Sequence, residues 1–136
     1  MKPLAIWAVG VVAAFAGLTA VTGATRDTEQ VFVVVDTSQP MVGVLNRVPL
    51  ELDRIDDREH TEFALATVGA TSSSIHGYQS DLEWVSTEAF RPCSFEGINA
   101  FPDASSADER ILVTNAQSIA DCSTDELDGW TVVELR

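Results

Sequence analysis

Lysine is almost missing from this sequence. Lys2 is the only one, so the 136 residues carry 8 basic side chains against 21 Asp and Glu, a net charge of −13 with histidine neutral. Nucleic-acid phosphates are held by clustered Lys and Arg, and that shortage excludes them as a partner. Two cysteines are too few for a disulfide-dense miniprotein. The phosphate-binding GxxxxGK[ST] and GxGxxG patterns are missing, as are HExxH and GxSxG. Nucleotide, zinc-protease and serine-hydrolase readings therefore lack their minimal parts. What is present is 46% hydrophobic residues, too many for a disordered chain, in a length that fits one small domain.

The first part of that apolar content is concentrated. From Pro3 to Thr25 there is no charged side chain, with Lys2 before the run and Arg26 after it. Roughly 20 apolar residues span a bilayer core as a helix, so residues 1–25 are expected to form a single transmembrane anchor. A secretory signal cleaved near Ala24 is the alternative, Thr22-Gly23-Ala24 being a fair small-residue site. Gly10 and Gly17 form no GxxxG motif, so the span offers no helix-dimer face. Either route exports the remainder, which places the C-terminal domain outside the cytoplasm, on a single-pass anchor in the cell membrane or released. The residues from Arg26 onward carry 7 Arg and all 21 acids, or −14. A surface so acidic and lysine-poor suits a high-salt source, or else reflects an Arg-biased, GC-rich genome.

Cys93 and Cys122 lie in polar segments that read as loops. An oxidising compartment is expected to pair them, with free thiols or a metal as alternatives. Zinc would want close pairs such as CxxC or HxxxH, and neither His60 nor His76 stands at such a spacing.

Beyond a linker at residues 26–30, Val31-Phe32-Val33-Val34-Val35 is a continuous β-branched run, the pattern of a strand buried on both faces. Met41, Val44, Leu45, Val48 and Leu52 then recur at helical spacing, with Pro49 expected to interrupt or bend that helix. Residues 62–71 read as a second strand, and 74–79 as its hairpin partner across a Ser-rich turn. Residues 81–90 read as a short helix or strand and 91–107 mostly as loop. Residues 110–114 form another central strand, 115–127 a loop or short helix, and 130–135 a closing strand after the Asp128-Gly129 turn signal. Strands alternating with helical stretches predict an α/β domain over 31–136, a mainly parallel central sheet with flanking helices.

The first strand runs directly into Asp36-Thr37-Ser38, which puts a carboxylate and a hydroxyl at the edge where open α/β sheets bind ligands. VFVVVDTSQPM resembles the common strand and DxSxS motif of von Willebrand factor A-like domains. EFALATVGATSSSI is similar to that family's next strand and hairpin, and ERILVTNAQ to its later central strand. The resemblance implies a three-layer fold, truncated at this length by loss of covering helices. It also implies a metal-ion-dependent adhesion site for Mg²⁺ or Ca²⁺, with Asp36, Ser38 and Asn115 as the metal ligands. The sequence departs from the motif at Pro40, which stands in place of its second serine, and at Asn115, which stands in place of a later aspartate. For the threonine of the middle loop only Thr87 and Ser94 are candidates. Such a ligand set makes a poor site, because hard cations gather several oxygens and usually one or two carboxylates. Capping of a helix start is the plainer reading of Asp36 and Ser38, with Pro40 in a first turn.

Other constellations have plainer readings. Ser72, Ser73 and Ser74 near His76 fit a polar hairpin turn better than a triad. Asp56-Asp57, Asp27 and Glu29 read as acidic surface, and Trp84 and Trp130 as core or sheet edge. No catalytic residue is assigned and no enzyme is expected. The expected function is a membrane-anchored, extracytoplasmic interaction module that binds another envelope protein through a degenerate adhesion site. The alternatives are a structural or accessory subunit of an envelope assembly without metal, and a small secreted hydrolase. A sheet this short of helices is expected to expose an apolar face for a partner to complete.

Overall fold

The computed structural model describes residues 27–69, 77–136 and the backbone of 73–74. The expected span at 3–25 lies outside them, and among the described residues no helix is long and apolar enough to cross a membrane.

The fold is α/β, a five-stranded sheet of order β3-β2-β1-β4-β5 in which every pairing except that of β3 is parallel. The strands are β1 (Glu29–Thr37), β2 (Thr61–Gly69), β3 (Ser73–Ser74), β4 (Glu109–Asn115) and β5 (Thr131–Leu135). Among the described residues the α-helices are α1 (Val48–Asp56) and α2 (Ala116–Asp121). β1 begins earlier than its apolar run, because Glu29 donates its N–H to His60 O at 3.0 Å and pairs with Thr61, so the expected linker 26–30 gives two residues to the strand. The hairpin holds, with Ala66 against Ser74, Thr67 against Ser73 and a bridge from Phe63 to Gln79.

The helix expected from Met41 onward is divided. Two 3-10 turns (Gln39–Gly43 and Leu45–Arg47) precede α1, and Pro49 sits in the first turn of α1 rather than bending it. A proline there gives up an N–H that has no helical partner anyway. Further along, residues 81–90 form neither helix nor strand.

Alternation along the strands makes two cores. Val31, Val33 and Val35 face a first layer with Phe63, Leu65, Ile111 and Val113, covered by Met41 and the α1 side chains Val48, Leu52 and Ile55. Phe32 and Val34 face a second layer with Leu112, Phe95, Ile98 and Trp130. Here 3-10 turns and irregular chain do the covering, with Ile98–Ala100 and Pro102–Ser105 in place of a long helix. Phe101 and Trp130 tilt onto the Phe32 ring with centroids at 5.8 and 6.0 Å. The expected open apolar face is therefore not seen on the central strands, since Val31 to Val35 are fully buried.

Candidate functional site

The crossovers from β1 and β4 lead to opposite sides of the sheet, to β2 and to β5, so the strand order reverses between these two neighbours. Ligands of open α/β sheets bind in the crevice outside the C-terminal ends at such a point. Asp36 and Thr37 end β1 there with Ser38 just beyond, Thr114 and Asn115 end β4, and Ser118 follows in α2. All six are buried.

Each polar atom of this cluster has work within the protein. Asp36 Oδ1 accepts the Ser38 N–H at 2.8 Å, and Oδ2 accepts the Thr114 hydroxyl at 2.7 Å. Asp36 thus turns the chain off the end of β1 and ties it to β4; it does not cap a helix. Ser38 stands at the cap position of the first 3-10 turn but makes no side-chain cap bond. Its hydroxyl lies 3.4 Å from that of Ser118. Asn115 is the cap that forms: its Oδ1 accepts the Ser118 N–H at 2.8 Å, while its Nδ2 donates to Pro40 O at 2.6 Å. Thr37 donates its hydroxyl to Val68 O at 2.8 Å, fastening β1 to β2.

A strap crosses this edge. The Leu82 N–H donates to Asp56 Oδ1 at the C-terminal end of α1, and Leu82, Trp84 and Ala89 pack on the first layer. Arg91 then bridges to Ser38, its carbonyl accepting the Gln39 N–H at 2.6 Å. The chain passes on to Phe95 and Ile98 on the second layer, so residues 82–98 run from one face of the sheet to the other over the ends of β1 and β4. A disulfide from Cys93 to Cys122 clamps the crossing, with Cα atoms 6.0 Å apart, and Cys93 Sγ lies 3.8 Å from Ser118 O. Outside the clamp remains a cleft of about 510 Å³ bounded by Gln39, Pro40, Pro92, Gln117, Asp121 and the disulfide. Among the described residues Asp121 is the one charged group on its wall.

The three residues proposed as metal ligands, Asp36, Ser38 and Asn115, are thus brought together, yet as partners of backbone and hydroxyl groups. Among the described residues no group of three or more His, Cys, Asp and Glu side chains is placed to hold a metal ion. Of the middle-loop candidates, Ser94 is exposed and accepts the Glu96 N–H at 3.3 Å, and the hydroxyl on Asp36 comes from Thr114. Thr114 and Ser118 are the members that the sequence did not point out. The signal for Thr114 is register: Val35 pairs with Val113 across two parallel strands, so the next residues, Asp36 and Thr114, lie side by side.

The remaining constellations are spread through the molecule. Ser72 and His76 lie outside the described residues, and Ser73 and Ser74 form β3. Trp130 is buried in the second layer, and Trp84 is half-buried on the first. Asp27, Glu29 and Asp57 are exposed, while half-buried Asp56 holds the start of the strap. Comparison with known proteins adds no relative: no family model, no curated protein and no solved structure matches the chain.

Proposed function

We propose that this chain is an extracytoplasmic protein-interaction module held at a membrane by residues 3–25. In this reading it is a reduced von Willebrand factor A-like domain whose adhesion edge has become a metal-free structural lock. One observation carries the loss of metal: Asp36 is 1% exposed beneath the strap, with both carboxylate oxygens occupied by protein donors. Mg²⁺ needs near-octahedral oxygens and normally keeps several waters, and Ca²⁺ gathers still more ligands. Loading either ion here would require Asp36 to release Ser38 and Thr114, Asn115 to uncap α2, and the strap to lift.

Export is supported by the apolar run and by a disulfide, which persists in oxidising compartments. An interaction role is supported by large apolar side chains left exposed, Val42 and Leu50 on the 3-10 turn and helix that cover the first layer and Val85 and Phe90 on the strap. The partner in this reading is another envelope protein, bound without a bridging cation.

Calorimetry of Mg²⁺ and Ca²⁺ into the full chain in detergent, at matched ionic strength and beside Asp36→Asn, tests the site. Heats identical in the two proteins are expected. Saturable binding that disappears in Asp36→Asn would restore a working adhesion site. Exchanging residues 3–25 for an unrelated span tests the module itself, since partner capture should survive the exchange; its loss would make the span the binding element.

A further inference from the structure

We propose that two clefts flanking the Cys93–Cys122 disulfide receive two arginine side chains from one extended segment of a partner protein. Such a docking face deepens the interaction-module reading and rests on it.

The first cleft is the one of about 510 Å³ between Pro40, Pro92 and Asp121, outside the ends of β1 and β4. A second, of about 370 Å³, is lined by residues 93–96 and by Ser123, Asp125 and Glu126. Cys93 belongs to both walls, so the disulfide stands between the clefts as a ridge. Proline and cystine fix these walls, and a surface held in place beforehand loses little freedom when a ligand arrives.

Charge selects the occupant. Among the described residues no Lys, Arg or His lines either cleft. Arg91, the neighbouring cation in the chain, lies over the Phe90 ring, 5.8 Å from its centroid. Asp125 and Glu126 are engaged already, by the Ser123 hydroxyl and the Gly97 N–H. Asp121 in the first cleft and Glu96 in the second are exposed, and among the described residues their carboxylates have no hydrogen bond or ion pair. Each cleft thus holds one free carboxylate. The Gln39 and Gln117 amides beside Asp121 are equally unengaged. A guanidinium suits this wall better than an ammonium, because its five N–H donors form a fork that takes a carboxylate bidentately and leaves donors for an amide oxygen. In an extended segment, residues i and i+2 share one face at a spacing of roughly 7 Å. An Arg-x-Arg sequence therefore presents both guanidinium groups to the two sides of the ridge, and the −14 carried from Arg26 onward steers it in.

The test is an NMR titration of the isotope-labelled full chain in zwitterionic detergent, with the blocked peptide Ala-Arg-Val-Arg-Ala as probe. Salt is held at about 0.15 M, where exposed charges more than roughly 8 Å apart are screened. A twin with citrulline at both arginines keeps the shape without the charge, and spermidine supplies charge without the peptide. Saturable shifts at the Glu96, Gln117, Asp121 and Ser123 amides are expected from the arginine peptide alone. Asp121→Asn and Glu96→Gln should each raise its dissociation constant about threefold, the scale of one exposed ion pair. Asp57→Asn, on an exposed side chain just before β2 at the opposite edge of the sheet, should leave it unchanged. All three variants alter exposed side chains, and their spectra report whether the fold is kept. Absence of saturable shifts would overturn the proposal, as would equal binding of the citrulline twin or of spermidine, or an equal effect of Asp57→Asn. Partner capture after exchange of residues 3–25 would stand through any of these failures, since it does not depend on the clefts.

Discussion

The Asp36 carboxylate and the Thr114 hydroxyl, 78 positions apart in the chain, meet at 2.7 Å at the ends of two neighbouring parallel strands. The other Asp36 oxygen holds the Ser38 N–H, and Ser38 in turn bridges to Arg91 of the strap. One buried side chain therefore links β1, β4 and the crossing segment. A carboxylate in such surroundings stabilises the fold only while its partners remain, because an unpaired buried polar group costs its full desolvation.

Asp36→Ala is expected to destabilise the domain by about 3 kcal/mol, since it strands the Thr114 hydroxyl and the Ser38 N–H together. Thr114→Val removes one bond and should cost about 1.5 kcal/mol. Because the two residues share that bond, the double variant should lose less than the sum. Urea denaturation of the four proteins measures this, and strict additivity would dissolve the link.

The disulfide closes a loop with a sequence separation of 29 and holds the strap across the sheet end. Replacing Cys93 and Cys122 with serine should cost about 3 kcal/mol, mostly through greater freedom of the unfolded chain. It should also loosen the crossing locally. The Gln39 amide, bonded to Arg91 O, is expected to exchange its hydrogen faster relative to the amides of β1. Equal acceleration at both places would mean that the clamp acts on global stability alone.

The central strands and their ends were legible because continuous β-branched runs have few alternatives. Once β1 and β4 are parallel neighbours, Asp36, Ser38 and Asn115 must share an edge. The uses of these side chains were not legible. Asn115, read from the sequence only as a metal ligand, caps α2 through its Oδ1 and holds Pro40 O with its amide. The strap was invisible for a physical reason: Leu82, Trp84 and Ala89 touch the core along an irregular path, so they leave no period of 2 or 3.6 in the sequence. Pro49 misled in the opposite way, since proline marks a helix start as readily as a break.

Gly69 shows how closely the chain is drawn in at this edge. Its φ is +108°, and a Cβ added there would stand 2.7 Å from Ser38 N and 3.0 Å from Thr37 C. Those neighbours are backbone and cannot swing aside. Gly69→Ala should therefore cost about 2 kcal/mol or more, combining strained φ with displacement of the β1 end. Thermal unfolding measures the loss, and a Tm equal to wild type would show that the β1 end can shift freely.

Tyr78 gives the fold an alkaline limit. Its hydroxyl donates to Asp103 O at 2.7 Å and lies 3.4 Å from the Ser106 hydroxyl. Burial is the main cause that raises its pKa above the ordinary tyrosine value; the Ser106 bond opposes the rise, and the charges of Asp103 and Asp108 reinforce it. The unfolded chain then loses the phenolic proton at lower pH than the folded one. Stability is thus unaffected by this group below about pH 10, and it falls as pH rises from there through the folded pKa. Tyr78→Phe removes that fall along with the hydrogen bond to Asp103 O. Chemical denaturation between pH 8 and 11 should show a lower but flatter stability curve for the variant, the two curves converging at the alkaline end. Parallel curves would assign the alkaline limb to other groups.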